Sequence, residues 1–371
     1  MSSQQANGRL HVAVLFGGRS GEHEVSVASA RSVVRNLDPD KYDVTLIGIT
    51  KTGQWVLPED AQRALTEGPG SVASLPVHAL ADYGAGIVRP GDNGLIRLNQ
   101  VDVVFPVLHG TYGEDGTVQG LLELAGLPYV GAGVLGSAAG MDKVIMKALF
   151  LAEGLQSADS IHFKRRDWEA DRQGILTCVA DEIGFPCFVK PANLGSSVGI
   201  SKVKTPDELA PAIDLAAEFD LKVLVEESVE NAREIECSVL GNDEPRASVL
   251  GEIIPSREFY SYEAKYVDDA SGQIIPADLP DDVTEEIRDM ATRAFKAVDC
   301  AGLARVDFLV RRDDNEVFIS EINTLPGFTQ ISMFPKLWEA SGLPYPKLLD
   351  EVIRLALERH AERASLRTSY T

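Results

Sequence analysis

Two short stretches near the C-terminus carry residue types that bind metal ions and phosphates. Residues 305–310 and 317–324 are each typical of a strand, and the polar turn between them predicts a hairpin. Side chains alternate across a strand, so Arg305 and Asp307 share one face, as do Glu321 and Asn323. If the two faces coincide, their oxygen ligands suit Mg²⁺ shared with substrate phosphates. The alternative is an ordinary solvated hairpin face.

A glycine- and serine-rich loop at residues 190–199 is the second chemical signal. Backbone N–H groups and hydroxyls of such a loop can enclose phosphates, and Lys190 before it would add a positive charge. The loop lacks the GxxxxGK[ST] pattern, so it is not a Walker A motif. A mobile hairpin without a ligand remains the alternative. Lys143, at a predicted helix start, is either a solvated lysine or another phosphate contact.

Two further patterns are less specific. Residues 131–136 satisfy GxGxxG, but they follow the last strand of the first unit instead of its first strand, which favours a packing turn over a dinucleotide site. A predicted strand at 223–229 ends in the acidic pair Glu226 and Glu227. Its backbone is suited to reading an adenine, with Glu234 available to a ribose hydroxyl. Solvated acids at a strand end are the equal alternative.

Composition limits the class of protein. The chain has 371 residues, 44% of them hydrophobic and 25% charged, which is typical of a soluble globular protein with two or three domains. A net charge of −21 argues against a nucleic-acid partner. No apolar run approaches a membrane span, and the polar N-terminus lacks an export signal, so we expect a cytoplasmic protein with no membrane partner. The four scattered cysteines indicate reduced core residues.

The pattern of elements predicts an α/β and α+β architecture in three units. Buried strands at 10–16, 44–49 and 101–108 alternate with helices, which predicts an open parallel α/β domain over residues 1–140. The segment 68–99, rich in Gly, Pro and Ala, is predicted to be a long surface connection. Mixed strands and helices then predict a central unit at 141–235 and a C-terminal unit at 236–371.

Taken together, the motifs resemble one family. They are Gly17-Gly18-Arg19-Ser20-x-Glu22-His23-Glu24-Val25-Ser26, His109-Gly110-x-x-Gly113-Glu114-Asp115-Gly116, Met141-Asp142-Lys143, Gly195-Ser196-Ser197-Val198-Gly199, Tyr262-Glu263-Ala264-Lys265-Tyr266, Arg305-x-Asp307 and Glu321-x-Asn323-Thr324-x-Pro326-Gly327. The set is similar to D-alanine–D-alanine ligases, which have an ATP-grasp fold, and it covers nearly the whole chain in family order. Thr111 and Leu325 replace residues common in the family, at positions without a catalytic side chain.

The resemblance implies ligation of two D-alanines with ATP through D-alanyl phosphate, for peptidoglycan precursor synthesis. It implies Mg²⁺ or Mn²⁺, as two ions held by Asp307, Glu321 and Asn323, and it leaves potassium activation open. ATP contacts are implied for Lys143, Lys190, Ser197, Glu226, Glu227, Val229, Glu234, Phe259 and Lys265. The implied catalytic and substrate residues are Glu22, His109, Ser196, Tyr266, Arg305, Gly327, Ser332 and Met333. A homodimer is also implied.

Several of these roles have structural alternatives. Glu22 is expected to bind the ammonium of the first D-alanine, but it is also placed to cap a helix. His109 either lines the first subsite or is structural. Arg305, with the Gly327 N–H, is expected to form an oxyanion hole, and the competing interpretation is a simple ion pair with Asp307. Ser332 and the backbone of Met333 would bind the second carboxylate.

The alternatives for the whole chain are narrower. A related ATP-grasp ligase would make D-Ala-D-Ser or D-Ala-D-lactate, but Tyr266 favours an amine nucleophile, because the related depsipeptide ligases usually carry phenylalanine there. A nucleotide-binding regulatory protein without catalysis is the alternative from another class. It is hard to reconcile with the presence of Lys190, Arg305, Asp307 and Glu321.

Overall fold

The computed structural model describes residues 8–79, 87–91, 94–97, 101–195, 198–254 and 272–369. The strands are β1 (Leu10–Gly17), β2 (Tyr42–Ile49), β3 (Trp55–Pro58), β4 (Ser74–Pro76), β5 (His78–Ala79), β6 (Ile87–Gly91), β7 (Gly94–Arg97), β8 (Val103–Leu108), β9 (Ser160–Lys164), β10 (Cys187–Pro191), β11 (Ser201–Val203), β12 (Lys222–Glu227), β13 (Ala232–Gly241), β14 (Arg246–Ile254), β15 (Gly272–Ile274), β16 (Gly302–Arg311) and β17 (Val317–Asn323). The helices are α1 (His23–Asn36), α2 (Ala61–Glu67), α3 (Thr117–Leu124), α4 (Val134–Met141), α5 (Lys143–Ala152), α6 (Arg165–Ala170), α7 (Arg172–Glu182), α8 (Pro206–Phe219), α9 (Asp281–Ala297), α10 (Met333–Ala340) and α11 (Tyr345–Ala364).

The first sheet has the order β4-β3-β2-β1-β8, and β1 runs parallel to both β2 and β8. The six residues of β8 are all buried, as the continuous apolar run predicts. The prediction of a surface connection over 68–99 was wrong, because β4 to β7 lie there and β5, β6 and β7 form a small sheet of their own. Short strands interrupted by Gly and Pro carry little periodic signal, which explains the error.

The central sheet has the order β11-β10-β12-β9, with every described pair antiparallel. Helix α8 covers one face, and its buried Leu209 and Ile213 pack in a core with Val189 and Val225. Thr205 and Glu208 form a capping box at the start of α8. This sheet therefore has a hydrophobic core of its own, and it presents the loop after β10.

The third sheet has the order β15-β14-β13-β16-β17. Helix α9 buries Ile287, Ala291 and Phe295 against it, with the periodicity of an amphipathic helix. The hairpin of β16 and β17 was predicted from the polar turn between the two strands, and it lies at one edge of the sheet.

One core joins the first and third sheets. It contains Val14 and Phe105 from the first sheet together with Phe328 and residues of α10 and α11, among them Trp338 and Leu349. In addition, the Arg359 guanidinium of α11 donates to the carbonyl of Gly131 and, at 3.1 Å, to that of Tyr129. The division of the chain at residues 140 and 235 stays a prediction. Within the described residues, no helix is both long and apolar enough to cross a membrane.

Candidate active site

The β16–β17 hairpin brings its polar side chains together. Asp307 lies directly opposite Glu321, and Arg305 lies opposite Asn323, in the antiparallel register. The register shifts between Asp307 and Phe308. This irregularity separates the polar pairs of the hairpin from its apolar pairs. The Asn323 Oδ1 accepts the Leu325 N–H at 3.1 Å. Two carboxylates and an amide oxygen on one face form a donor set of the kind that Mg²⁺ takes.

Arg305 is held by carboxylates on two strands. Its Nε and Nη2 donate to Asp307 Oδ1 and Oδ2, both at 2.7 Å, and Nε lies 3.1 Å from Glu236 Oε2 on β13. Burial lowers the pKa of Arg305, but the Asp307 and Glu236 carboxylates outweigh it, so the pKa lies well above its usual range. The guanidinium is therefore a fixed positive charge beside the carboxylate and amide oxygens that could hold a metal ion.

Glu226 is enclosed by two lysines. Its Oε1 lies 2.6 Å from Lys190 Nζ, and its Oε2 lies 2.7 Å from Lys147 Nζ. Burial by itself raises the pKa of Glu226, but the two ammonium groups lower it to about 2. For Lys190, burial lowers the pKa and Glu226 raises it, with a net upward direction. Glu226 and Lys190 are therefore both charged at neutral pH, and Lys190 lies below the loop at the end of β10.

Lys143 links that loop to the hairpin. Its Nζ donates to the Leu194 carbonyl at 2.8 Å and lies 3.7 Å from Glu321 Oε2. Asp142 caps α5 by accepting the Val144 and Ile145 N–H groups, which fixes where Lys143 begins the helix. The side chain is buried at this junction and is not a solvated lysine.

Glu22 approaches the same loop from the first sheet. It stands at the N-cap of α1, but its side chain makes no capping hydrogen bond, so the helix-cap interpretation is wrong. A Cβ atom at Gly110 would lie 2.6 Å from Glu22 Oε2, and one at Gly195 would lie 3.2 Å from it. The carboxylate is therefore enclosed between the turn after β8 and the loop after β10.

Glu114 is a second buried carboxyl group beside Glu22. Its Oε1 accepts the Gly110 N–H at 2.6 Å. Burial raises the pKa of Glu114 well above its usual range, and the Glu22 carboxylate raises it further. Because two adjacent carboxyl groups disfavour each other's ionisation, Glu114 holds its proton to higher pH than an ordinary glutamate does.

His109 connects two parts of the fold. Its Nδ1 lies 3.2 Å from the Leu325 carbonyl, which can only accept, so Nδ1 carries the hydrogen and Nε2 accepts from Ser29 Oγ at 3.2 Å. Burial lowers the pKa of His109. The Ser29 hydroxyl oxygen also accepts the Phe328 N–H at 3.4 Å. The ring thus holds the Leu325–Phe328 turn against α1.

The predicted carboxylate-binding residues follow that turn. A Cβ atom at Gly327 would lie 2.8 Å from Ser332 Oγ, so the two residues are in close contact. The Ser332 hydroxyl oxygen accepts the Thr329 N–H at 3.1 Å. Met333 begins α10 and is buried, with its Cε against Gly251. Its side chain belongs to the core, which leaves its backbone for the predicted role.

The predicted nucleoside residues are divided between the central and third sheets. The Glu227 N–H at the end of β12 donates to the Asp159 carbonyl at 2.9 Å. Glu234 lies on β13 and raises the pKa of Lys190 through its charge. Val229 follows β12 in the connection to β13. The predicted residues Ser196, Ser197, Phe259, Lys265 and Tyr266 lie outside the described residues.

Three participants were missed from the sequence. Lys147 lies one turn after Lys143 on α5, and the i, i+4 spacing was the available signal. Glu114 lies inside the quoted His109–Gly116 motif but was given no role. Glu236, two residues after Glu234 on β13, reaches Arg305. Each of them pairs with a residue distant in sequence, which local patterns do not reveal.

The geometry defines a class of protein. A carboxylate from a parallel α/β sheet, a loop with buried lysines and an oxygen-rich hairpin with a fixed guanidinium together form a site for transferring a phosphoryl group to an acid. Such a site, on two antiparallel sheets that follow an α/β domain, is that of an ATP-grasp ligase.

Comparison with known proteins narrows the class. The family described as D-ala D-ala ligase N-terminus matches residues 11–132, and the one described as D-ala D-ala ligase C-terminus matches residues 149–354. A D-alanine–D-alanine ligase from Natranaerobius thermophilus is 50% identical, over 98% of this chain and 99% of its own. The structure of the D-alanine–D-alanine ligase from Coxiella burnetii superposes with a TM-score of 0.82, at 40% identity, over 96% of each chain.

A third relative differs in its second substrate. The VanG D-Ala:D-Ser ligase from Enterococcus faecalis superposes with a TM-score of 0.83, at 36% identity, over 94% of this chain and 99% of its own. The family models together cover more than half of the chain, and relatives at about half identity span nearly all of it. The chain belongs to the D-ala D-ala ligase family.

Proposed function

We propose that this protein joins two molecules of D-alanine into D-alanyl-D-alanine, with ATP converted to ADP and phosphate. The observation that carries the proposal is a series of contacts across the site. Glu22 lies against Gly195, the adjoining Leu194 carbonyl accepts from Lys143 Nζ, and Lys143 lies close to Glu321. The series joins a carboxylate suited to an ammonium group, a phosphate loop and an oxygen-rich metal face in one place.

The first step would activate a carboxylate. A carboxylate oxygen of the first D-alanine attacks the γ-phosphorus of ATP, and the bond from that phosphorus to the β,γ-bridging oxygen breaks, which gives D-alanyl phosphate and ADP. Lys143 and Lys190 would neutralise the phosphate charges, with Ser197 and Lys265 assisting. Glu22 would hold the ammonium of this D-alanine in a charge-assisted hydrogen bond.

The second step would form the peptide bond. The amine of the second D-alanine attacks the acyl carbon, phosphate leaves, and the amine loses a proton, for which the resemblance implies a hydrogen-bonded relay of Glu22, Ser196 and Tyr266. Arg305 and the Gly327 N–H would stabilise the oxyanion, and Ser332 with the Met333 backbone would hold the second carboxylate. His109 lies behind the Gly327 turn and would position it.

The residues present fit a divalent metal. Asp307, which lies opposite Glu321, would hold Mg²⁺ or Mn²⁺ together with Glu321 and Asn323, and the family resemblance implies two ions. The ions would neutralise charge on the transferring phosphoryl group. Glu226, the Glu227 carbonyl, Val229, Glu234 and Phe259 would surround the nucleoside. A homodimer is proposed from the family resemblance.

The experiment that tests this function measures phosphate release from ATP with D-alanine as the only amino acid. We expect release that depends on Mg²⁺ and D-alanine, with D-alanyl-D-alanine identified by mass spectrometry. Competition with D-serine and D-lactate then tests the VanG-like alternative. Mixed products at equal concentrations would reject the strict D-alanine assignment, and tight ATP binding without release would reject catalysis.

A further inference from the structure

A separate cavity of about 690 Å³ lies beside the start of α1. It is bounded by the first turns of α1, the turn between β2 and β3, and the segment after α2 that includes Gly68, Gly70 and Ser71. Its lining contains none of the residues assigned to the candidate active site. The volume is in the range of small-molecule sites in proteins.

His23 places an unused acceptor in this cavity. The side chain is only 5% exposed. Its Nδ1 lies 2.8 Å from the Gly18 carbonyl, so Nδ1 carries the hydrogen and Nε2 of the neutral ring presents a lone pair. A Cβ atom at Gly68 would lie 3.4 Å from Nε2. Across the described part of the chain, no hydrogen bond involves Nε2, and the residue lines the cavity, so this ring atom can accept from a ligand there.

The rest of the lining also offers acceptors. The Thr66 and Ser71 hydroxyls donate their hydrogens to the carbonyls of Gln62 and Glu67, at 3.0 and 2.8 Å, so their lone pairs are left for a ligand. The Lys51 ammonium and the Glu24 carboxylate face each other at 2.5 Å and are both largely exposed. The cavity therefore combines a group of acceptors with a mouth that carries both signs of charge.

Arg31 adds a donor for an anionic group. Its Nε and Nη2 both donate to the Leu65 carbonyl, at 2.9 and 2.6 Å, which anchors the guanidinium in the cavity wall. The remaining N–H groups of a fixed guanidinium suit a carboxylate. The cavity lining therefore combines acceptors for an ammonium group with donors for a carboxylate, and a zwitterion carries both of these groups.

We propose that this cavity is a second binding site, for a small zwitterion with a primary ammonium group, such as a free amino acid or a dipeptide. The ammonium donates to His23 Nε2, and the carboxylate is received by Arg31 and Lys51. His23 directly follows Glu22, so an occupant fixes the first turn of α1 at the residue next to the one that faces Gly195. The binding claim does not depend on the proposed reaction.

The test counts sites by equilibrium dialysis of radiolabelled D-alanyl-D-alanine against the full chain. We expect the wild type to bind one molecule more per chain than His23→Asn, whose amide keeps a donor near the Gly18 carbonyl but lacks an atom at the Nε2 position. Gly70→Leu provides an independent variant. A Cβ there meets only Thr50 at 3.8 Å, so the backbone has room for a side chain at this position of the cavity lining.

A spectroscopic readout locates the second molecule. In protein with ¹⁵N-labelled histidine, the His23 Nε2 resonance moves as D-alanyl-D-alanine is added, and the N-acetylated dipeptide, which lacks the ammonium, leaves it in place. Arg305→Ala removes the active-site molecule and retains the movement. Equal stoichiometry in the wild type, His23→Asn and Gly70→Leu, or a resonance that does not move, overturns the proposal and means that the cavity holds only water.

Discussion

Arg305 donates two parallel hydrogen bonds to Asp307, from Nε and Nη2 to the two carboxylate oxygens, each 2.7 Å long. This two-point contact sets the direction in which the guanidinium can present its remaining N–H groups. Both side chains are mostly buried, with 16% and 18% exposed. The two residues therefore form the ion pair that the sequence suggested as an alternative. The same pair also orients the guanidinium for the proposed oxyanion contact.

Arg305→Lys tests the orientation of the Arg305 guanidinium. Lysine keeps the charge but cannot form the two parallel hydrogen bonds to Asp307, so we expect kcat to fall by about 100-fold or more, as for loss of an oxyanion-hole donor. Arg311→Lys is the matched control, because Arg311 on the same strand makes a similar but exposed fork with Asp314. Equal effects of the two substitutions on phosphate release would contradict the proposed role.

Glu114→Gln tests the raised pKa of the Glu114 carboxyl group. A glutamine still accepts the Gly110 N–H, so we expect kcat/KM for D-alanine below the pKa of Glu114 to stay close to that of the wild type. As pH rises through the raised pKa of Glu114, the wild type gains a negative charge beside Glu22, and its activity falls. The variant lacks this ionisation, so it keeps its activity to higher pH than the wild type does. Identical pH profiles would reject the assignment.

Glu226→Gln tests the charge balance under the phosphate loop. The folded-state pKa of Glu226 is about 2, below its ordinary 4.5, so its stabilisation is complete above the ordinary value and is lost as pH falls toward 2. The shift corresponds to about 3 kcal/mol of unfolding free energy at neutral pH.

Urea unfolding at neutral and acidic pH measures this contribution, and the difference between Glu226→Gln and the wild type should shrink in acid. Glu227→Gln is the control, because the neighbouring side chain is exposed. A pH-independent difference would show that lost packing, and not charge, explains the effect.

Gly110→Ala tests the enclosure of Glu22. The backbone of Gly110 has φ +73, and a Cβ there would lie 2.6 Å from Glu22 Oε2 and 2.7 Å from Ser20 Oγ. We expect kcat/KM for D-alanine to fall by about 100-fold, the effect of displacing a positioning group by about 1 Å. Gly120→Ala in α3 is the control, since its Cβ meets only Val134 at 4.0 Å. A fall of similar size in both variants would mean that folding, and not Glu22, is affected.

Tyr266→Phe tests the choice of nucleophile. The resemblance implies that the tyrosine favours an amine, so the variant should let D-lactate compete with the second D-alanine. Product analysis at acidic and neutral pH, with both acceptors present, gives the measurement. A variant that makes only the dipeptide at each pH would refute this specificity argument.

The sequence predicted those parts of the site that depend on local periodicity. The convergence of Arg305, Asp307, Glu321 and Asn323 follows from period-two alternation in a hairpin, and the structure has that register. The helix that begins at Lys143 was also predicted from the sequence. The strand boundaries differ from the observed ones by only a few residues.

The parts that were not predicted depend on tertiary contacts. Lys147 meets Glu226 across 79 residues of chain, and Glu114 acquires its raised pKa from burial next to Glu22. Cys178 was predicted to lie in the core but is partly exposed on α7. Neither desolvation nor a long-range ion pair leaves a periodic trace in a sequence, so these features required the fold.

The Arg359 contacts with Gly131 and Tyr129 bear on the order in which the chain folds as it is synthesised. Helix α11 covers apolar side chains of the first sheet, yet it lies far downstream of that sheet in the chain. During synthesis the first 140 residues therefore emerge with an apolar face that stays uncovered until α11 has been made, whereas the central sheet has a core of its own. A chain truncated before α11 would leave the first sheet, at the opposite end of the sequence, without this cover.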